Sequence, residues 1–146
     1  MNERFVHDVL DDKGRDVYTV PPGATVYEAL ELMAERNIGA LVVLDNDRIV
    51  GIFSERDYAR KLELAGKRGH DTPVREIMTD VVATVSSSHS MKDCMGLMTN
   101  ERVRHLPVVE GGQLVGLVSI GDVVKSIMTT QEEMIRQLEA YITGRV

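Results

Sequence analysis

Ser54 and Asp57 stand three residues apart, and so do Ser119 and Asp122. A hydroxyl and a carboxylate at that spacing can do two kinds of chemistry. At the first turn of a helix, the serine accepts an amide proton and the acid reaches back to the serine N–H, which completes a cap and needs no ligand. The same carboxylate can accept the two hydroxyls of a ribose, beside helix-start amides that favour a phosphate. Each pair also follows a glycine, Gly51 or Gly116, inside an apolar run. A glycine there lets a backbone approach a ligand with no side chain between. Capping suffices for one copy; the same triplet met twice in register favours a ligand.

The elements that must position these residues are themselves repeated. Gly51 and Gly116 are 65 positions apart, and the chain matches itself at that offset without a gap from Val17/Val82 to Leu62/Ile127. Thr25 to Glu28 forms a capping box ahead of a helix with Val26, Ala29, Leu30 and Met33 on one face; Ser90 to Asp93 stands ahead of Met91, Cys94, Met95 and Met98. Gly39 follows the first helix, where a left-handed closing residue is expected. The β-branched run Ala40–Leu44 reads as a buried strand, Asp45-Asn46-Asp47 as a turn, and Arg48–Ile52 as the returning strand. With Val17–Val20 as a first strand and a helix after Ser54, each half reads strand–helix–strand–strand–helix.

Units of that size rarely bury enough surface alone, so the two are expected to pair through a pseudo-twofold axis over one core. Val6-His7-Asp8-Val9-Leu10 is echoed by Val74-Arg75-Glu76-Ile77-Met78, which marks a lead-in before each half. The expected division is a leader helix at 1–16, repeat 1 at 17–66, linker and lead-in at 67–81, repeat 2 at 82–128 and a C-terminal helix at 129–146. That last helix should start near Thr130, carry Glu132 and Glu133 in its first turn and end at Gly144. Its stripe Ile135, Leu138 and Ile142 would pack on its own domain or make a dimer contact.

Cations lie near both pairs. Arg56, Arg60 and Lys61 follow Ser54, while Arg102, Arg104 and His105 precede the strand of Leu106. Arg60 and Lys61 read as a solvated helix face; Arg104 and His105 read as the rim of a cleft. Arg104-His105 aligns with Gly39-Ala40, and Arg56 with Gly121, so the two clefts should not be equivalent.

Bulk properties exclude several classes. A net charge of −6 argues against broad nucleic-acid or anionic-membrane binding, which need a basic surface. The single cysteine, Cys94, gives neither a disulfide framework nor a cysteine metal site, and falls on a helical core face. His7, His70, His89 and His105 show no metal-ligand spacing. No apolar run approaches the roughly 18 residues of a membrane span, and the N-terminus lacks signal or transit character. A cytoplasmic, non-catalytic protein is the expectation.

These residues carry a resemblance. Ile38-Gly39-Ala40-Leu41-Val42-Val43 with Gly51-Ile52-Phe53-Ser54-Glu55-Arg56-Asp57, and Val103-Arg104-His105-Leu106-Pro107-Val108-Val109 with Gly116-Leu117-Val118-Ser119-Ile120-Gly121-Asp122, resemble a tandem pair of cystathionine-β-synthase (CBS) domains, a Bateman module. The resemblance implies an α/β (α+β) fold of two β-α-β-β-α repeats plus a C-terminal helix. It also implies a sensor of AMP, ADP, ATP or NAD(H), with no catalytic cofactor. Asp57 and Asp122 would take the ribose. Ser54, Arg56, Ser119, Arg104 and His105 would lie by ribose or phosphate, and Thr19, Val20, Ala40, Thr84, Val85 and Pro107 would form the adenine pocket. Serine stands where many members carry threonine, which spares the hydroxyl. The whole looks most like small stand-alone bacterial CBS-pair proteins, which implies a homodimer signalling to an unidentified protein partner. The competing expectations are an S-adenosylmethionine sensor, and a structural dimer or scaffold with vestigial clefts.

Overall fold

A computed structural model of the chain describes residues 3–81 and 83–143. The elements run α1 (Val6–Lys13), β1 (Thr19–Val20), α2 (Val26–Arg36), β2 (Ala40–Asp45) and β3 (Arg48–Ser54). Then come α3 (Glu55–Asp57), continuing as a π-helix over Tyr58–Glu63, and a 3-10 turn at Val74–Glu76. The second half holds α4 (Met91–Glu101), β4 (His105–Glu110), β5 (Gln113–Ser119) and α5 (Ile120–Ile142). This is the mixed α and β architecture with two repeats and a C-terminal helix that the sequence predicts.

The chain forms two compact units: Val17–Val82 is one, and Met1–Asp16 with Ala83–Val146 is the other. We call them the first-repeat and second-repeat units. In the first-repeat unit β1 runs parallel to β2, with Thr19 opposite Val42, and β2 runs antiparallel to β3. In the second-repeat unit β4 and β5 pair antiparallel, and the counterpart of β1 shrinks to a single parallel bridge between Val85 and Val108. The strand expected over Val17–Val20 is likewise only Thr19–Val20, extended by the Val42 N–H donating to the Tyr18 carbonyl at 3.3 Å. Pro21, which has no N–H, stops it.

Local chemistry explains the matching details. Both hairpins turn on two residues with positive φ, Asn46-Asp47 in one and Gly111-Gly112 in the other, as a tight turn between right-twisted strands requires. Both skip one residue of the returning strand, Val50 or Val115, beside the glycine. Helices α2 and α4 carry the expected boxes: Thr25 Oγ1 accepts from Glu28 N at 3.1 Å, and Ser90 Oγ from Asp93 N at 3.0 Å. Their left-handed closing residues, however, are Asn37 and Arg102, not Gly39. The Ile38 and Val103 N–H groups then reach back to the Met33 and Met98 carbonyls, ending each helix before Gly39 or its counterpart Arg104 is reached. Gly39 makes room for something else: a Cβ there would lie 3.3 Å from Glu55 Oε1.

The lead-ins exchange places. Helix α1 precedes repeat 1 in the chain but belongs to the second-repeat unit, where Val6, Val9 and Leu10 join the cluster of Leu106, Val108 and Val118. Val74 and Ile77, which precede repeat 2, join the cluster of Leu41, Val43 and Phe53 in the first-repeat unit. The glycines of the returning strands accept them. A Cβ on Gly51 would meet Met78 Sδ at 2.5 Å and the Thr79 carbonyl at 3.0 Å; one on Gly116 would meet Leu10 Cδ2 at 2.7 Å. These glycines are therefore explained by packing under a lead-in. The expectation that they open the backbone to a ligand is corrected.

The tail is also different. Helix α5 is continuous over 23 residues and begins at Ser119, its N-cap, so Glu132 and Glu133 lie mid-helix. Nothing between Val123 and Ile142 breaks it. The hydroxyls of Thr129 and Thr130 bond back to the carbonyls of Lys125 and Ser126 and so fit inside the helix. Met134, Ile135, Leu138, Tyr141 and Ile142 stay exposed, so the stripe does not pack on its own unit. Gly144 lies outside the described residues. Among those residues no helix is long and apolar enough to cross a membrane.

Candidate functional site

Each unit brings its own Ser–Asp pair to the junction of a strand and a helix. In the first-repeat unit Ser54 ends β3 opposite Ala40, the first residue of β2, and the Gly39 carbonyl accepts from Glu55 N at 3.1 Å. In the second-repeat unit Ser119 ends β5 opposite His105, and the Arg104 carbonyl accepts from Ile120 N at 2.9 Å. The register thus fixes which residues flank each serine: Ala40 in one unit, His105 in the other.

Capping accounts for part of both pairs. Asp57 N donates to Ser54 Oγ at 3.2 Å and Asp122 N to Ser119 Oγ at 3.1 Å. In return Asp57 Oδ2 accepts from Ser54 N at 3.0 Å, and Asp122 Oδ2 from Ser119 N at 2.9 Å. The remaining contacts separate the two sites. Asp57 is buried, and its Oδ2 also accepts from Ser54 Oγ at 3.1 Å. Its Oδ1 accepts from Thr79 Oγ1 at 2.8 Å and pairs with Lys61 Nζ at 3.2 Å. Lys61 donates to Thr79 Oγ1 as well, at 3.2 Å. Asp122 is half-buried and pairs with Lys13 Nζ, the last residue of α1, at 2.7 Å. One site is a closed network around a buried carboxylate; the other is an exposed ion pair on a capping acid.

The other expected residues divide between the units. Thr19 sits half-exposed on β1 beside Val42, Val20 is packed in the core, Ala40 is buried, and Arg56 is exposed on the first turn of α3. Thr84 and Arg104 are exposed, His105 is half-exposed, Pro107 is buried opposite Leu117, and Val85 lies in the core. Lys61 is exposed, as expected of a solvated face, and from there it also pairs with Asp57. Its i, i+4 spacing was the signal for that. Thr79 and Lys13 have no such signal; Lys13 is 109 residues from its partner.

Cys94 is packed in the core and is not activated as a nucleophile. Burial pushes the Cys94 thiol up to about 11, with the neighbouring Asp93 charge adding to the shift. That is the opposite of an activated thiolate. A histidine group does exist beyond the expected scatter: His7, Asp8 and Asp11 place ligand atoms within 4.8 Å of one another on α1. Both acids carry other partners, however. Asp8 accepts from Phe5 N at 2.9 Å, and Asp11 pairs with Arg15.

Comparison with known proteins agrees with the repeat. The CBS domain family model matches residues 6–64 and 74–129. It takes each lead-in with the repeat that follows, whereas in space each belongs to the unit of the other repeat. The mitochondrial CBS domain-containing protein CBSX3 of Arabidopsis thaliana is 36% identical over 148 residues, covering 95% of this chain and 72% of that protein. A CBS-domain protein of Burkholderia ambifaria MC40-6, provisionally assigned to signal transduction, superposes with a TM-score of 0.79 at 52% identity, over 86% of this chain and 94% of that one. A hexameric CBS-CP12 protein from bloom-forming cyanobacteria superposes with a TM-score of 0.75 at 26% identity, over 84% of this chain and 67% of the other. With two copies of the motif, two family matches and these relatives, the chain belongs to the CBS domain family as a tandem pair.

Proposed function

We propose that the chain is a regulatory module that binds an adenine nucleotide, AMP, ADP, ATP or NAD(H), and passes its occupancy to a partner protein. The observation that carries this is the duplicated carboxylate. In both units an aspartate at the head of a helix is held by a lysine that a ligand could replace. Ribose hydroxyls donate to the carboxylate, while the serine and the basic residues Arg56, Arg104 and His105 serve ribose or phosphate. The assignment of the Burkholderia relative to signal transduction supports the regulatory half of the reading.

Self-association belongs to the same reading. A helix end as exposed as Met134 to Ile142 is only marginally stable without a partner. A second copy seated on α5 would cover that stripe, and the cyanobacterial relative is an assembly of several copies. A scaffold with empty clefts is the competing reading. One observation favours it for the first repeat: both Asp57 oxygens already have partners.

A ligand that binds only the folded state must raise the melting temperature by mass action. At a hundredfold excess over Kd the gain is about 2.7 kcal/mol, a rise of several degrees for units of this size. Heating the protein with each of the four nucleotides should show that rise for at least one. An unchanged melting temperature with all four at millimolar concentration would favour the scaffold.

A further inference from the structure

Both candidate carboxylates grip a lead-in segment shortly before the chain leaves that unit. Lys13, on Asp122, ends α1 three residues before the passage at Asp16; Thr79, on Asp57, precedes the passage out of the first-repeat unit. The grips differ in strength. Asp57 would have to give up both Thr79 and Lys61, inside a site where its own side chain is 8% exposed. Asp122 would have to give up Lys13 alone, in a pair whose side chains are 39% and 21% exposed. The Ser119 N cap and Lys13 share Oδ2, so a ribose whose two hydroxyls take both carboxylate oxygens would displace the lysine, while the cap bond keeps the carboxylate oriented.

Resting on the adenine-nucleotide reading, we propose that Lys13 is a latch. It occupies the Asp122 carboxylate in the empty site, a ribose displaces it, and filling the second-repeat site thereby releases the end of α1. Lys13 is a positioning residue for the lead-in, and the second-repeat site fills before the first.

Adenosine is the informative probe, because without a phosphate it cannot use Lys13 as a binding cation. Lys13→Gln removes the competitor, so adenosine should bind about fivefold more tightly than to the wild type, the size expected of a partly exposed ion pair. Lys13→Arg keeps the competitor and should bind as the wild type does. Hydrogen exchange supplies a second readout. Adenosine should speed exchange over the last turn of α1, residues 10–13, in the wild type, whereas in Lys13→Gln exchange there is already faster and adenosine leaves it unchanged. Adenosine binding that depends on Asp122 but is unaltered or weakened in Lys13→Gln overturns the latch alone. Absence of binding to wild type and variant, with adenosine and with all the nucleotides, overturns the latch together with the reading beneath it.

Discussion

Asp57→Ala is expected to destabilise the protein by about 2–4 kcal/mol, and Asp122→Ala by only about 1 kcal/mol. The two aspartates hold the same position in the two repeats, so a capping role alone predicts equal losses. Their surroundings predict otherwise. Removing Asp57 strips the cap from Ser54 N and leaves the Thr79 hydroxyl without its acceptor. It also leaves Lys61 without a counter-charge beside a buried site, and deleting one partner of a buried pair costs more than the pair is worth. Lys61 is itself half-exposed and can turn to water, which keeps the loss at the lower end of such penalties. Removing Asp122 strips a cap and a solvent-screened ion pair, each of modest value. Urea unfolding of both variants measures the difference. Equal shifts of midpoint would mean that the Thr79–Lys61 network adds nothing.

The glycines give the second large effect. Gly116→Ala should cost about 1–2 kcal/mol and Gly116→Val about 3, because the first added carbon already overlaps Leu10. Gly51→Ala should cost at least as much as Gly116→Ala. It meets a backbone carbonyl, Thr79 O, in addition to the yielding Met78 side chain. The origin can be isolated with Leu10→Ala. That change leaves a cavity of its own in the cluster, but it removes the atoms that Gly116→Ala would strike. The two changes together should therefore cost less than their sum, with a coupling of about 1 kcal/mol or more in the double-mutant cycle. If Gly116→Ala instead weakened nucleotide binding and left stability alone, the glycine would be serving the ligand and not the lead-in.

How much of this could be read from sequence follows from the range of each interaction. Caps at Thr25 and Ser90 and the turn at Asn46-Asp47 depend on residues within a few positions of one another, and they fold as their spacing says. The repeat is legible because the same local signals recur 65 positions on. The apolar face of Val6, Val9 and Leu10 announces a packed helix, but amphipathicity names no partner. Which repeat receives it depends on contacts such as Leu10 with Gly116, more than a hundred residues away. The continuity of α5 was hidden by Thr129-Thr130, which look like a boundary because β-branched residues are weak helix formers. Their hydroxyls are satisfied within the helix and the boundary never forms. For the site, the Ser–Asp pairs and the inequality of the two copies were legible. The source of that inequality was not: the sequence points to Arg56 and Arg104, whereas Lys61, Thr79 and Lys13 are what the carboxylates hold.

The account stands on an adenine nucleotide bound through Asp57 and Asp122, and titration calorimetry of the full chain tests that most directly. AMP, ADP, ATP and NAD+ would each be titrated into the wild type, Asp122→Asn and Asp57→Asn, the amides being chosen to keep the caps nearly isosteric. The account predicts saturable heat with at least one nucleotide, an affinity lowered tenfold or more by Asp122→Asn, and a smaller loss with Asp57→Asn. No heat from any of the four, or binding that neither substitution alters, would contradict it.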